Sequence, residues 1–387
     1  MKDKSSGNKL FFLVGISLLL VMIVTSMVSC ANNTPATTPA GSTPATSGTQ
    51  AAATTSASSP AGTVKPVTLV LTSHEPPMSW VPTGAFMPWI AKVEEATGGA
   101  VKIEPHWGAE LAEANQTYDA VIKGIADIGT PIMNELPNRF PLMTVTEMNS
   151  YDVKCYKRSL AVAEMIKTHP EMQAEYKDTK LLWIMQASMG YFATTKKPLR
   201  TLEDCQGVKM LGVGEWIAAR EKALGMIPTQ MAPMDMMPAL QKGVLDGSTV
   251  MPFLLRDFQM GAFLKYLTDV SCSLSSWAAV MNLDTWNNLP ADIQKTIEDV
   301  SLEHQNKIDD LYWAMVEERI GSAPSEFGIE IISLSEQEVA RWVNAEAGVR
   351  EDFVKSLEAR GLPGQKLMED YMALEKKYAA PEYAPKK

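Results

Sequence analysis

The sequence predicts an α/β protein with two units, each a β-sheet covered by helices, followed by a purely helical region. Apolar runs alternate with amphipathic stretches from about residue 66 onward, as a sheet covered by helices requires. The same alternation starts again at Leu181, and beyond residue 288 only helical periodicity is left. The 322 residues from 66 to 387 are also long enough to bury two cores.

In the first unit, strands and helices follow one another with short links. The apolar patterns predict strands at residues 67–71 and 101–105, helices at 86–96 and 112–123, and a third strand directly after a turn at 124–129. Because neighbouring parallel strands need a crossover connection, this order predicts a parallel sheet.

The second unit repeats this organisation. A buried strand is predicted at residues 181–185 and another at 208–211, with helices at 214–224 and 236–242. Gly225 and Gly243 follow the two helices, and glycine is the residue that most often ends a helix. We therefore expect two α/β units in the chain.

The C-terminal region carries two long amphipathic patterns. The first runs from Pro290 to about Ile320 and would form a helix of roughly 45–50 Å, long enough to span both units. His304 lies on its apolar stripe, so we expect a packed histidine. The second begins with a capping box at residues 335–338 and ends near Gly361. Glu346 interrupts its apolar stripe, so we expect the rest of the protein to cover only part of this helix.

The N-terminus has the order of a secretory signal peptide. Residues 1–9 are basic, residues 10–27 are mostly apolar, and two small residues precede Cys30. Residues 27–30 resemble the lipobox of bacterial lipoproteins, in which cleavage precedes a cysteine that carries the lipid. An uncleaved transmembrane helix is the alternative. Either interpretation places the rest of the chain outside the membrane.

A tether is predicted between Cys30 and the globular part. Residues 31–65 consist almost entirely of Ala, Thr, Ser, Pro, Gly, Asn and Gln, which bury too little apolar surface to offset the entropy of ordering. A random coil of this length reaches roughly 30–35 Å. An O-glycosylated stalk is the alternative.

Composition excludes several function classes. The net charge is −10 and the isoelectric point about 5.1, so no basic surface for nucleic acid is expected. Cys155, Cys205 and Cys272 contain no CxxC spacing, which leaves buried thiols or one disulfide. The four histidines match no metal-binding spacing. We expect neither a cofactor nor a metal.

Several motifs together resemble the DctP-type solute-binding proteins of TRAP transporters, over nearly all of residues 66–380. They are EEATGGAVKI (residues 94–103), IKGIADIG (122–129), KPL (197–199), GVK (207–209), LGMIP (224–228), ALQKGVLDG (239–247) and WNNLP (286–290). The resemblance implies a two-domain periplasmic-binding-protein-like clamp with a long hinge-spanning helix. It further implies that the clamp is a monomer, closes on a small organic solute and delivers it to a membrane permease.

The predicted domain limits follow from these patterns. A signal peptide occupies residues 1–30 and the tether residues 31–65. We assign residues 66–188 and 276–320 to domain I, and residues 189–275 and 321–380 to domain II.

The chain departs from the family where a carboxylate would bind. The family usually has an arginine two residues after the lysine of the G-x-K motif, where this chain has Leu211. A second common arginine would fall near Tyr191, and the family's Glu-Trp or Glu-Asn pair after the Asp-Gly turn is replaced near Val250. A plain carboxylate or a metal-bridged keto acid is therefore disfavoured.

The residues that follow the strands are the candidate ligand contacts, because ligands of open α/β sheets bind at the carboxyl ends of strands. They are rich in tryptophan and methionine and poor in arginine, which suits an apolar, neutral or cationic solute. The candidates are Glu75, Trp80, Trp107, Asn134, Tyr191, Leu211, Glu215, Trp216, Val250 and Met251. Ordinary packing between the units is the alternative for each of them.

Two other function classes stay open. An enzyme could use the same cleft, but the chain has no GxSxG, no P-loop and no GxGxxG after a strand, so we expect none. A ligand-sensing partner of a membrane receptor would use the same fold and closing motion.

Overall fold

The computed structural model describes residues 66–148, 155–212, 214–231 and 233–384. The predicted signal peptide, Cys30 and the tether lie outside these residues and stay predictions. Among the described residues, we find no helix with the length and apolar character that a bilayer crossing requires.

Nine strands of the described part of the chain form one sheet. They are β1 (Val67–Thr72), β2 (Val101–His106), β3 (Ile128–Gly129), β4 (Thr179–Thr194), β5 (Lys209–Leu211), β6 (Ile227–Thr229), β7 (Gly247–Val250), β8 (Tyr266–Asn282) and β9 (Glu330–Ser333).

Eleven α-helices are formed by the described residues, together with a π-helical turn at Val81–Phe86 and short 3₁₀ segments. They are α1 (Met87–Ala96), α2 (Thr117–Ile122), α3 (Arg158–Thr168), α4 (Pro170–Ala174), α5 (Gly214–Ala223), α6 (Pro233–Lys242), α7 (Leu254–Asp257), α8 (Leu283–Asn288), α9 (Ala291–Phe327), α10 (Glu336–Glu358) and α11 (Gly364–Tyr378).

The sheet order is β2-β1-β3-β8-β4-β7-β5-β6, with β9 beside β8. As predicted, β1 pairs in parallel with β2 and β3. Strand β5 likewise pairs in parallel with β6 and β7. We call residues 67–135, which contain β1–β3, α1 and α2, the first half, and residues 207–258, which contain β5–β7, α5, α6 and α7, the second half.

Two long antiparallel strands connect these halves. Strands β4 and β8 pair from Thr179 with Asn282 to Thr194 with Tyr266, and their register shifts between Met189 and Tyr191. The first half pairs with β8 near Met281, while the second half pairs with β4 from Tyr191 onward. The register shift falls next to the predicted limit at residues 188–189, and the domain limits stay predictions.

Helix α9 is two turns longer than predicted. It continues past Ile320 to Phe327 and ends at Gly328, whose φ of 68° suits a glycine at a helix C-terminus. The helix packs against α1, α3 and β4, and also against α7 of the second half. It therefore contacts both halves, as the sequence indicates.

His304 is a packed histidine. Its ring centroid lies 4.6 Å from that of Trp183, and the ring of Phe86 lies 4.6 Å from the same tryptophan. Burial lowers the pKa of His304 to about 4, so the imidazole is neutral at neutral pH. Phe86 and Trp183 thus pack against the middle of α9.

Helix α10 corrects two expectations. Ser335 Oγ accepts the Glu338 amide at 3.2 Å, but the Glu338 carboxylate accepts the Trp342 indole N–H at 3.0 Å, so the capping box is only half formed. Glu346 does not expose its part of the helix. Its carboxylate is buried and paired with Arg220 from α5.

The predicted helix at residues 112–123 is shorter than expected. Ala114–Gln116 is a 3₁₀ turn and only Thr117–Ile122 is α-helical. Cys155 and Cys205 are buried free thiols, and burial raises the pKa of each to about 12. The side chain of Cys272 lies outside what the structure describes.

Candidate functional site

The loops after β1 and β3 meet at the carboxyl ends of these strands. The Thr130 amide donates to the Thr72 carbonyl at 3.2 Å, and the Thr130 hydroxyl donates to Ser73 Oγ at 2.6 Å. Both loops are thereby fixed to each other, so the side chains that follow β1 and β3 share one surface.

Glu75 is buried on this surface, with 5% of its area exposed. The Trp277 indole N–H, from β8, donates to Glu75 Oε1 at 2.9 Å. Nε2 of His74 lies 3.3 Å from the same oxygen. A tryptophan of the central sheet therefore holds this carboxylate in place.

Asn134 reaches the same strand from the other loop. It lies in the 3₁₀ turn Met133–Glu135, and its amide donates to Ser275 Oγ at 3.1 Å. Ser275 and Trp277 are two residues apart on β8, so their side chains project from one face of the sheet. Glu75 and Asn134, both predicted, are thus brought together on one face of β8.

Four buried polar atoms near these residues have no hydrogen-bond partner among the described residues. They are Thr72 Oγ1, His74 Nδ1, Ser79 Oγ and Asn134 Oδ1. Buried polar groups are nearly always paired, so each of these atoms calls for an explanation. A bound solute with donors and acceptors would satisfy them. We define these four residues with Glu75 as the polar surface.

Trp80 and Trp107, both predicted as ligand contacts, pack against different parts of the protein. The Trp80 ring lies against Phe253 of the second half, with ring centroids 6.3 Å apart, and its amide donates to Asp257 Oδ2 at 2.8 Å. The Trp107 ring packs against Phe86 at 6.4 Å. Trp80 therefore connects the two halves, whereas Trp107 belongs to the first half alone.

Tyr191, Leu211 and Val250 come together inside the second half. All three are buried members of one apolar cluster that also includes Leu255. Tyr191 pairs in register with Val250, and Leu211 with Ser248. Leu211, the position at which the resemblance implies an arginine, is therefore a side chain of the apolar core.

The other three predicted contacts are Glu215, Trp216 and Met251, of which the last two belong to one buried apolar cluster. Glu215 is exposed in the first turn of α5, while Trp216 beside it is buried, with the Arg220 guanidinium 5.3 Å from its ring centroid. The indole N–H of Trp216 has no partner among the described residues. Met251 is buried at the end of β7. No polar surface like that of the first half joins them among the described contacts.

The charge near the polar surface is predominantly negative. Burial raises the pKa of Asp257, the Trp80 amide lowers it, and the charge of Glu75 raises it further. Two arginines lie beside Asp257: Arg256 precedes it and lowers its pKa, and Arg319 of α9 lies 3.5 Å from Asp257 Oδ1 and donates to Glu318 at 2.8 Å. The guanidinium of Arg319 contacts two carboxylates, and its Nε is buried without a partner among the described residues.

The sequence-based prediction missed Ser275, Trp277 and Asp257. Ser275 and Trp277 lie on β8, which was not predicted as a strand, although an apolar run begins at Trp277 and continues to Met281. Asp257 ends the four-residue helix α7, which has no recognisable sequence pattern. Among the described residues, no group of His, Cys, Asp and Glu side chains is placed to hold a metal ion.

Comparison with known proteins finds consistent similarity. The model of the bacterial extracellular solute-binding proteins of family 7, DctP, matches residues 72–356. The outer membrane transporter protein TsaT of Comamonas testosteroni is 23% identical over 318 residues, which cover 79% of this chain and 91% of TsaT.

Solved structures are similar over the same part of the chain. A TRAP periplasmic solute-binding protein from Desulfovibrio salexigens is 25% identical, with a TM-score of 0.74 and coverage of 81% of this chain and 97% of the other. A marine metagenome TRAP solute-binding protein specific for aromatic acid ligands, in complex with 3-hydroxybenzoate, is 25% identical, with a TM-score of 0.75 and coverage of 81% and 99%.

Proposed function

Because the chain belongs to family 7 of the bacterial extracellular solute-binding proteins, the DctP family, we propose that the polar surface around Glu75 binds its solute. The chain is the extracytoplasmic solute-binding component of a TRAP-type secondary transporter. It captures a small organic solute and delivers it to the membrane permease. The residues of the polar surface indicate the chemical class of this solute.

The solute we propose has an aromatic or otherwise apolar body and a neutral or cationic polar group. The observation that carries this proposal is the buried Glu75 carboxylate, whose partners among the described residues are Trp277 and His74, with no arginine or lysine. A buried carboxylate favours a positive charge or a hydrogen-bond donor on its ligand and repels an anion.

The surroundings of Leu211 also support a solute with a neutral or cationic polar group. A family arginine at this position would bind a carboxylate through two parallel hydrogen bonds. Leu211 instead packs in the apolar cluster of the second half. Arg319, the nearby alternative cation, is engaged by Asp257 and Glu318.

An aromatic carboxylate is the second candidate solute. The marine metagenome protein is specific for aromatic acid ligands, and a protein from Rhodoferax ferrireducens of the same fold was solved with copurified benzoate. These relatives support an aromatic body. A carboxylate that binds here would accept a hydrogen bond from Nε of Arg319, which is buried without a partner among the described residues.

A matched series of aromatic compounds separates the two candidates. Benzylamine, benzyl alcohol and benzoate share a ring and differ in polar group. At about a hundred times its dissociation constant, a binding compound stabilises the full chain by about 2.7 kcal/mol, which raises Tm by about 4 °C at an unfolding entropy of about 2.1 cal/mol/K per residue. We expect shifts with the amine or the alcohol. A shift with benzoate alone would contradict the proposed solute class.

The substitution Leu211→Arg tests the position of the missing arginine. We expect the variant to gain binding of benzoate, with at least a tenfold lower Kd than the wild type by calorimetry, because it supplies the bidentate donor. Leu211→Met, which nearly conserves volume, is the control for repacking of the cluster. A folded Leu211→Arg variant with unchanged benzoate affinity would show that position 211 does not face the solute.

We propose that the mature chain is a monomer held at the membrane by lipid on Cys30. The basic, apolar and small-residue order of residues 1–30 supports this proposal. In cell fractionation, we expect the wild type in the membrane fraction and Cys30→Ala at least tenfold enriched in the soluble fraction. A variant that stays with the membrane to the same extent would instead support an uncleaved helix.

A further inference from the structure

Trp80 joins the first half to the second through its backbone. Its amide N–H donates to Asp257 Oδ2 at 2.8 Å. Trp80 follows β1 in the first half, and Asp257 is the last residue of α7 in the second. The donor belongs to the main chain, so the bond is independent of the residue type at position 80.

The Trp80 side chain makes a second contact between the same parts. Its ring is stacked on Phe253, at 6.3 Å between centroids and 23° between planes. It also meets Tyr312 of α9 edge-on, at 5.6 Å and 72°. Such arrangements are favoured by the ring quadrupoles. The loop after β1 therefore packs against both α9 and the segment that contains α7.

Asp257 also contacts α9 through its other carboxylate oxygen. Nη2 of Arg319 lies 3.5 Å from Asp257 Oδ1, and Arg319 is seven residues after Tyr312, on the same side of the helix. The neighbouring Arg256 also donates to α9, to Glu318 at 2.9 Å and to Glu326 at 2.6 Å. The acceptor for the Trp80 amide is thus held at a fixed position on the long helix.

We propose that Trp80 and Asp257, with Arg319 as anchor, form a latch that holds the two halves together. The proposal rests on the proposed function, because closure of the two halves on a solute is what the latch would control. Glu75 of the polar surface lies five residues before Trp80 on the same loop. A solute that contacts Glu75 would therefore act on the segment that closes the latch.

Amide hydrogen exchange of the full chain without solute tests the latch. In Asp257→Ala, we expect exchange at least tenfold faster both in residues 79–86 and in residues 251–258, together with a larger radius of gyration by X-ray scattering. Asp257→Asn keeps the volume and an acceptor but loses the pair with Arg319, so we expect about threefold faster exchange in both segments. If Asp257→Ala does not fold, the exchange rates of Asp257→Asn are used to test the proposal.

The control is Asp178→Ala, which removes an exposed partner of Arg139, at 3.3 Å, away from the latch. We expect it to leave both segments and the radius of gyration unchanged. Faster exchange confined to residues 251–258, with no change in residues 79–86, would overturn the proposal, since Asp257 would then only stabilise α7. No solute is present in this experiment, so an error in the proposed solute class does not affect its outcome.

Discussion

Replacing Arg220 with leucine is expected to lower the free energy of unfolding by about 3–5 kcal/mol. The Arg220 side chain, on α5, is 1% exposed and donates from Nε to Glu346 Oε2 of α10, which is 2% exposed. Removing the arginine leaves a buried carboxylate whose other cation, Arg350, is 3.7 Å away. This loss would be a large part of the 5–15 kcal/mol that typically stabilises a folded protein.

Urea denaturation of the two proteins measures this loss. A matched control is Arg341→Leu, at an exposed arginine that pairs with Glu203 and Glu338, and it should cost much less than the loss of Arg220. The double variant Arg220→Leu with Glu346→Leu should recover most of the stability, because no buried charge is left unpaired. A loss below about 1 kcal/mol in Arg220→Leu alone would show that Glu346 is not buried as described.

Glu221 is expected to make the folded protein less stable as the pH rises from about 4.5 to about 8. Its side chain is fully buried, and neither carboxyl oxygen has a hydrogen-bond partner among the described residues. Burial raises its pKa from 4.5 to about 8. The neutral acid is thus favoured in the folded state, and its stabilisation is full below pH 4.5 and lost as the pH passes through 8.

The substitution Glu221→Gln should remove this dependence, because glutamine stays neutral. Above pH 8 the variant should exceed the wild type in free energy of unfolding, relative to their difference at pH 4.5, by on the order of 4 kcal/mol. Chemical denaturation between pH 4.5 and 9 measures it. Glu215→Gln, exposed on the same helix, should leave the pH profile parallel to that of the wild type. Parallel profiles for both variants would exclude a buried, neutral Glu221.

The elements with clear apolar patterns and glycine ends were predictable from sequence. Strands β1 and β2 and helices α1 and α5 begin and end within about two residues of the prediction. Strand β8 was not predicted, because its 17 residues lie in the middle of the sheet and mix serines with apolar residues. For the same reason, residues 181–185 were recognised only as the apolar centre of the 16-residue β4. A strand paired on both sides need not show alternation.

The candidate site was predictable in the first half and less so in the second. Glu75 and Asn134 follow strand ends, and the structure places both against β8. Leu211 and Val250 also lie at strand ends, and Tyr191 lies within β4, but the sequence does not reveal that these three side chains pack into one apolar cluster. The contact between Trp80 and Asp257 joins residues far apart in sequence, and no local pattern indicates it.

The central claim is that the polar surface around Glu75 binds an aromatic solute without an arginine. The most direct measurement is a crystal structure of the full chain with whichever of benzylamine and benzyl alcohol gives the larger thermal shift. We expect the polar group of the compound within hydrogen-bond distance of Glu75 or of Asn134 Oδ1, and Arg319 still paired with Asp257. A compound bound away from this surface, or one whose polar group contacts Arg319 in place of Asp257, would contradict the claim.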